Sequence, residues 1–240
     1  MSEPVLTLAN VRVEVGPPTR RVLAMRNVSF ELERGMQLGI VGESGSGKST
    51  TALAILGILA PGAVIRNGSI RYVVRELVGL RDADYARLRG KEIAIVFQSA
   101  SAALNPLIRV GDQIADVVRR HEGVSKNVAH RRAVEMLAAL GLADPERNAR
   151  AYPHQYSGGM AQRALIAMAL ACRPLVLIAD EPTTGLDPIV QAEVLDQIVE
   201  QVTAQGASLI LISHDLAVIA RACTHIAVMY AGEVVEDGPA

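Results

Sequence analysis

Residues 42–49 read Gly42-Glu43-Ser44-Gly45-Ser46-Gly47-Lys48-Ser49, which fits the pattern G-x-x-x-x-G-K-[S/T]. The glycines let the backbone curl so that successive N–H groups point inward at a phosphate, and the following helix presents its positive N-terminal end. In this pattern Lys48 places a cation between the β- and γ-phosphates, and Ser49 offers a hydroxyl to Mg²⁺. Thr50 follows in the same nucleotide-binding segment. The stretch predicts a site for a nucleoside triphosphate with Mg²⁺.

The segments around this loop predict an α/β core. An apolar strand, Gln37–Val41, precedes the loop, and a helix rich in Ala and Leu, Lys48–Ile58, follows it. Farther along, apolar strands alternate with helices, at Leu175–Ala179, Pro188–Ala204, Ser208–Ile212, Leu216–Arg221 and Ile226–Tyr230. Such alternation is typical of a parallel sheet covered by helices on both faces, as in a P-loop NTPase.

Two other regions differ from this core. Strands rich in β-branched residues are predicted in the first hundred residues, at Val5–Leu8, Val11–Val15, Val22–Leu32, Ile70–Val74 and Glu92–Phe97. From about residue 99 to residue 168 helical spacing dominates, as in Val128–Leu140. The sequence therefore predicts one domain over residues 1–240. Its catalytic core, with an antiparallel β part, covers 1–98 and 169–240, and a helical subdomain covers 99–168.

A pair of acids ends one of the predicted strands. Leu175–Ala179 is followed directly by Asp180 and Glu181. In open α/β sheets the carboxyl edge holds the ligand, so these side chains are expected beside the phosphates. Asp180 would hold Mg²⁺, directly or through water, and Glu181 would polarise the attacking water as general base.

Composition argues against several other classes of protein. The net charge is −1, with 24 basic against 25 acidic residues, and aromatic residues are 3% of the chain with no Trp. A nucleic-acid partner is therefore not expected. The longest uncharged stretch, Ser49–Ile65, has 17 residues, fewer than the ~18–20 that a membrane span needs. Cys172 and Cys223 lie in apolar segments and are expected to be buried free thiols.

A second glycine motif, Tyr156-Ser157-Gly158-Gly159-Met160-Ala161-Gln162-Arg163, completes a recognisable set. With it, the chain resembles the nucleotide-binding subunit of an ATP-binding cassette (ABC) transporter over nearly its whole length. The resemblance implies a RecA-like core that binds ATP. It also implies roles for three residues outside the motifs above. Gln98 would touch Mg²⁺ and the attacking water, Asp187 would lie in the dimer-contact loop, and His214 would touch the γ-phosphate.

The signature Ser157-Gly158-Gly159 precedes an apolar helical run. A serine hydroxyl, bare glycine amides and a helix N-terminus together make an anion site. One chain would then carry two phosphate-binding devices far apart in sequence. In the family, ATP lies between the phosphate loop of one subunit and the signature of another, so the resemblance implies a head-to-tail pair of cassettes.

Several stretches look like the peptide and nickel importer branch of the family, among them Leu104-Asn105-Pro106, Tyr152-Pro153-His154 and Ala179-Asp180-Glu181-Pro182-Thr183-Thr184. By this resemblance the partners are two membrane permeases, a second cassette (a homologous subunit or a fused tandem half) and an external substrate-binding protein. The segment Ser99–Gly111 would meet a permease helix. The expected location is the cytoplasmic face of the inner membrane, as a peripheral subunit.

Alternatives stay open at this point. The cargo would be a dipeptide or oligopeptide, nickel or another small solute, and a cassette without a transport role is the competing class. Chromosome and repair members separate the two motifs by long coiled coils, whereas 109 residues separate Lys48 from Ser157 here. A GTPase would need a base-reading N-K-x-D motif, which the sequence lacks.

The chain departs from the family pattern in three places. Val15 stands where many members have an aromatic that stacks on adenine, so the residue that contacts the base stays open. The hairpin expected after Ser69-Ile70 lacks its glycine turn and reads Arg71-Tyr72-Val73-Val74. The sequence also ends at Ala240, where importers of this branch usually run on. A trimmed chain, half of a tandem cassette and a short member all fit that end.

Overall fold

The computed structural model describes residues 3–17, 19–98 and 103–240. They form two compact units. The first contains Met1–Arg89 and Ser208–Ala240, and the second contains Gly90–Ala207. Residues 99–102 of the segment expected to meet a permease lie outside the described residues.

The first unit is built on a mixed sheet. Its described strands are β1 (Pro4–Val15), β2 (Val22–Glu33), β3 (Gln37–Gly42), β4 (Val64–Tyr72), β5 (Arg75–Glu76), β8 (Ser208–Ser213), β9 (His225–Tyr230) and β10 (Glu233–Pro239). Their order across the sheet is β5-β4-β1-β2-β10-β9-β3-β8. β1 pairs antiparallel with both β2 and β4. β3 pairs parallel with both β8 and β9, as predicted for the core.

Helices α1 (Lys48–Ile55), α2 (Asp82–Leu88) and α8 (Leu216–Ala222) belong to the same unit. The central strand β3 buries Leu38, Ile40 and Val41, and it carries a glycine between the first two. A side chain on Gly39 would collide with Ile219 of α8. The glycine therefore lets α8 pack directly on the strand that leads into the phosphate loop.

The first strand is longer than the sequence predicts. The sequence predicts two strands, Val5–Leu8 and Val11–Val15, whereas the structure has one, Pro4–Val15. The pairing of β1 with β2 shifts register between Leu8 and Val11, where Asn10 adopts φ 52°. A β-bulge absorbs an extra residue without ending the strand, and Asn tolerates this left-handed conformation better than most residues. A bulge therefore joins the two predicted strands into one.

The hairpin that lacks a glycine forms nevertheless. β4 ends at Tyr72 and pairs antiparallel with β5, so Val73 and Val74 make a two-residue turn. The predicted strand Ile70–Val74 is therefore wrong at its end. Val73 adopts φ 53°, a strained conformation for a β-branched residue. Its N–H donates to the Val5 carbonyl at 2.9 Å, which helps to hold the turn.

We expect Val73→Gly to raise the free energy of unfolding by about 0.5–1 kcal/mol. The substitution relieves left-handed strain of ~1–2 kcal/mol, and the greater freedom of glycine in the unfolded chain offsets part of that gain. Val74→Gly is the matched control, because Val74 is 83% exposed and its φ is not positive. Urea denaturation of both variants checks the prediction, and a stability loss in Val73→Gly equal to that in Val74→Gly would contradict it.

The second unit combines two parallel strands with helices. The strands are β6 (Ile93–Val96) and β7 (Val176–Asp180), and the described helices are α3 (Val110–Glu122), α4 (Lys126–Ala139), α5 (Pro145–Arg150), α6 (Gly158–Leu170) and α7 (Pro188–Ala204), with a 3-10 turn at Pro153–Gln155. Ser125 caps α4, which begins two residues before the predicted helix. The helical character expected after residue 99 is thus present in the described part of this segment.

Candidate nucleotide site

The phosphate loop connects β3 to α1. Gly45 and Gly47 have φ values of 82° and 103°, and Gly47 is the residue that precedes α1. A Cβ on Gly47 would lie 2.5 Å from the Ala24 carbonyl oxygen, and one on Gly42 would collide with the Met229 carbonyl. The glycines are therefore needed for conformation and also because neighbouring backbone packs against the loop.

Lys48 lies at the centre of the loop. Its ammonium donates hydrogen bonds to the carbonyls of Gly42 (2.7 Å) and Glu43 (2.8 Å), and the residue is 7% exposed. The loop's own carbonyls thus hold this buried cation against the start of the loop. The Ser46 hydroxyl is also buried and has no hydrogen-bond partner among the described residues. An unsatisfied donor beside a buried cation fits an oxygen-rich anion.

Three successive hydroxyl residues follow Lys48 and differ in their surroundings. Ser49 is exposed and Thr50 is half-buried, whereas Thr51 is fully buried. The Thr51 hydroxyl donates to the Gly47 carbonyl at 3.0 Å, so this hydroxyl is used inside the protein, at the N-terminus of α1. The exposed Ser49, which the sequence pattern predicts as the Mg²⁺ ligand, has the most accessible side chain of the three.

A cavity of about 200 Å³ opens beside the loop, lined by Glu43, Ser44, Gly45, Ser46, Tyr230 and Ala231. Tyr230 is 61% exposed. No motif in the sequence marks this tyrosine as a site residue. The signal lies in the register, because β9 pairs with β3 so that Met229 is opposite Gly42, and the next residue of β9 must emerge at the loop.

His214 leaves the sheet at the same edge as the phosphate loop. In the parallel pairing of β3 with β8, Val41 is opposite Ser213. The phosphate loop starts directly after Val41, and His214 comes directly after Ser213. The connection to α8 is fixed by two hydrogen bonds. Asp215 N–H donates to the Ser213 hydroxyl at 3.0 Å, and Ala217 N–H donates to the Asp215 carboxylate at 2.8 Å. The exposed His214 is thus held in a defined turn.

The second unit brings Gln98 together with the acid pair in a similar way. β6 and β7 are parallel with Val96 opposite Ala179, so Gln98 and Asp180-Glu181 leave one edge of that strand pair. Residues 176–179 are fully buried, while Gln98 is exposed and both acids are half-buried. Two segments more than 80 residues apart in sequence therefore present an amide and two carboxylates at neighbouring strand ends.

These side chains suit Mg²⁺ by their chemistry. Gln98 and Asp180, at the neighbouring ends of β6 and β7, offer an amide oxygen and a carboxylate. Mg²⁺ in nucleotide enzymes is usually held by one or two carboxylates together with substrate phosphates and waters, not by a dedicated protein cage. Among the described residues no group of three or more His, Cys, Asp and Glu side chains could by itself hold a metal ion.

The signature forms the start of α6. The Ser157 hydroxyl accepts a hydrogen bond from Met160 N–H at 3.3 Å and so caps the helix. Gly158 and Gly159 are the first two helical residues, and their N–H groups are among those that a helix leaves without an internal partner. Ser157 and Gly158 are exposed, so this helix end can be approached by a ligand.

The signature lies against the predicted dimer-contact loop, Gly185-Leu186-Asp187, within the same unit. A Cβ on Gly158 would be 3.6 Å from Leu186 Cδ2, and one on Gly159 would be 2.7 Å from Val190 Cγ1. Asp187 caps α7 by accepting from Val190 N–H at 3.1 Å. The signature and the predicted dimer-contact loop, which are apart in sequence, therefore lie side by side in this unit.

Replacing each of the two signature glycines by alanine should affect the stability of the fold in different ways. Gly158→Ala adds only an ordinary contact and replaces glycine by a better helix former, so stability stays equal or rises by up to about 1 kcal/mol. Gly159→Ala forces Val190 to move and costs about 1–3 kcal/mol, the usual range for overpacking. Thermal unfolding of both variants tests this. Val190→Ala should restore stability to Gly159→Ala, and equal stabilities for the two single variants would contradict the prediction.

The cysteines are buried free thiols, as predicted. Burial raises the pKa of Cys172 to about 11 and that of Cys223 to about 12. Because the thiolate is the reactive form, neither residue is a nucleophile at neutral pH.

In the described residues no helix is both long enough and apolar enough to cross a membrane.

Comparison with known proteins agrees with the geometry. The family model described as "ABC transporter" matches residues 25–184. The dipeptide transport ATP-binding protein DppD of Lactococcus lactis is 45% identical over 98% of this chain and 68% of its own length. The oligopeptide transport ATP-binding protein OppD of Bacillus subtilis is 46% identical over 90% of this chain and 61% of its own length.

Solved structures show the same fold. The dimeric, post-hydrolysis ATP-binding cassette MJ0796 bound to ADP and Pi has a TM-score of 0.86 and 28% identity, and the match covers 98% of each chain. The cbiO1 protein of Clostridium perfringens, part of the transporter complex cbiONQ, has a TM-score of 0.83 and 25% identity, covering 99% of this chain and 89% of that one. The predicted fold class and family resemblance are confirmed. The chain therefore belongs to the ABC transporter family, as an ATPase domain.

Proposed function

We propose that this chain is the ATP-hydrolysing subunit of an importer and that the cargo is a dipeptide or an oligopeptide. The observation that carries the proposal is the match to dipeptide and oligopeptide transport ATP-binding proteins at 42–46% identity over nearly the whole chain. The alternatives are an ATPase that drives uptake of nickel or another small solute, and an ABC ATPase without a transport role.

In the proposed site, the phosphate loop holds the nucleotide through its backbone N–H groups and Lys48. Ser49, Asp180 and Gln98 hold Mg²⁺, which neutralises charge on the phosphates when bound. Glu181 accepts a proton from the attacking water, and His214 contacts the γ-phosphate. The buried Lys48 ammonium and the parallel registers that place His214, Gln98 and the acid pair at strand ends support these roles.

A second cassette completes the site. Each chain carries a phosphate loop in its first unit and the exposed signature Ser157-Gly158-Gly159 in its second. ATP is bound between the loop of one chain and the signature of another, and Asp187 lies at that contact. The second cassette is a copy of this chain, a homologous subunit or a fused tandem half.

Apolar side chains on the second unit support a permease contact. Phe97 is 40% exposed, Leu107 is 84% exposed and Ile108 is 39% exposed. Leu107 and Ile108 fall within the segment 99–111 that the family places against a permease helix. The proposed location is accordingly peripheral, on the cytoplasmic face of the membrane, with two permeases and an external substrate-binding protein as partners.

Reconstitution tests this assignment. The chain is purified together with its permeases and second cassette, inserted into lipid vesicles, and assayed for ATP hydrolysis with the binding protein present. We expect dipeptides or oligopeptides to stimulate hydrolysis and to co-purify with the binding protein. Stimulation by nickel alone would favour the metal importer, and a chain that binds no permease would overturn the importer assignment.

A further inference from the structure

We infer that Thr184 is a positioning residue for the Glu181 carboxylate. The inference rests on the proposed role of Glu181 as the general base. The Thr184 hydroxyl donates a hydrogen bond to Glu181 Oε2 at 2.7 Å. A hydroxyl bonded to one carboxylate oxygen restricts the rotation of the carboxyl group.

The backbone between the two residues closes a tight turn. Thr184 N–H donates to the Glu181 carbonyl at 3.3 Å, with Pro182 and Thr183 as the central residues. Proline at the second position of a turn sets the backbone angle that the turn needs. Pro182 and Thr183 are buried, so the turn is anchored from inside while Thr184 is exposed. Backbone and side chain of Thr184 thus both bind Glu181.

Glu181 itself is held in a strained conformation. Its φ is 48°, and it precedes a proline, which further restricts its backbone. Such strain costs on the order of 1–3 kcal/mol and persists only where surrounding structure enforces it. Here the enforcing contacts are the buried Pro182-Thr183 pair and the two hydrogen bonds from Thr184. The turn holds the backbone of Glu181, and the Thr184 hydroxyl holds its carboxyl group.

The exposure of the Thr184 side chain allows a positioning role to be distinguished from a packing role. Thr184 is exposed, so a change there removes little buried surface, whereas neighbouring Thr183 is 5% exposed and belongs to the core. Thr184→Val keeps the shape of the side chain and removes its hydroxyl. Thr184→Ser keeps the hydroxyl and removes a methyl group. The pair therefore isolates the hydrogen bond.

The test measures kcat and KM for ATP hydrolysis by the full chain assembled with its second cassette. We expect Thr184→Val to lower kcat roughly tenfold while KM for ATP stays within about twofold, because the lost bond orients the base and does not touch the nucleotide. Thr184→Ser should retain at least half of the parental kcat. Thr184→Ala is the second variant, since it adds no atoms that could disturb folding.

A double variant ties the effect to Glu181. If the hydroxyl acts through the carboxylate, adding Thr184→Val to Glu181→Gln lowers kcat by no more than about twofold beyond the single change. A parental kcat in both Thr184→Val and Thr184→Ala, a loss in Thr184→Ser equal to that in Thr184→Val, or additive losses in the double variant would each overturn the positioning role. A parental rate in Glu181→Gln would instead remove the general-base assignment on which the inference rests.

Discussion

Glu181→Gln should lower the rate of ATP hydrolysis by about 10²–10⁴-fold while ATP binding survives, because glutamine keeps the shape of the side chain but cannot accept a proton. The nucleotide contacts proposed for Lys48 and Ser49 are unchanged by this substitution. Phosphate release under saturating ATP gives the rate, and binding of a slowly hydrolysed ATP analogue gives the affinity.

Glu200→Gln is the matched control for this variant. Glu200 is exposed on α7 in the same unit, outside every proposed contact, so the same chemical change there should leave the rate unaltered. A Glu181→Gln chain that hydrolyses ATP at the parental rate would remove Glu181 from catalysis and leave Asp180 as the only acid assigned to the site.

Lys48→Ala should abolish tight ATP binding. The ammonium is buried and holds the loop through Gly42 and Glu43, so its removal deletes a charge-assisted contact to phosphate and loosens the loop. Charge-assisted hydrogen bonds in such positions are worth about 1.5–3 kcal/mol each. Because Lys48 would make more than one of them, we expect affinity to fall at least about 100-fold.

Equilibrium titration with a fluorescent ATP analogue measures this loss. Lys126→Ala serves as the control, because Lys126 is exposed at the start of α4 and lies in the other unit. Circular dichroism of Lys48→Ala checks that the variant folds. Unchanged affinity in a folded Lys48→Ala chain would show that residues 42–49 are not the phosphate-binding loop.

Motif and pattern together could predict most of the core. The loop at 42–49 fixes a strand before it and a helix after it, and the alternation of apolar strands with helices indicates parallel pairing. Because parallel strands end at one edge, the positions of His214 and of Asp180-Glu181 at strand ends follow from chain order alone. The observed registers of β3 with β8 and of β6 with β7 agree with that reasoning.

Other features depend on tertiary contacts that local sequence does not contain. The Val73-Val74 turn has none of the residues that such turns favour, so no turn signal could place it. Tyr230 reaches the phosphate loop only because β9 pairs with β3 in one register. Gly159 packs against Val190, and the Thr184 hydroxyl bonds to Glu181. Both contacts depend on the backbone conformation of the folded chain, which the local sequence does not reveal.

The central claim is that ATP is bound between two cassettes, and the mass of Glu181→Gln in solution tests it most directly. The variant is run on size-exclusion chromatography with light scattering, with and without ATP and Mg²⁺, alone and mixed with its second cassette. We predict a stable pair in ATP, about twice the 25.5 kDa of one chain if the pair is homomeric, with two bound nucleotides. Without ATP, or with Lys48→Ala added, the chains should separate. A single cassette that retains one ATP per chain, even with its partner present, would contradict the account.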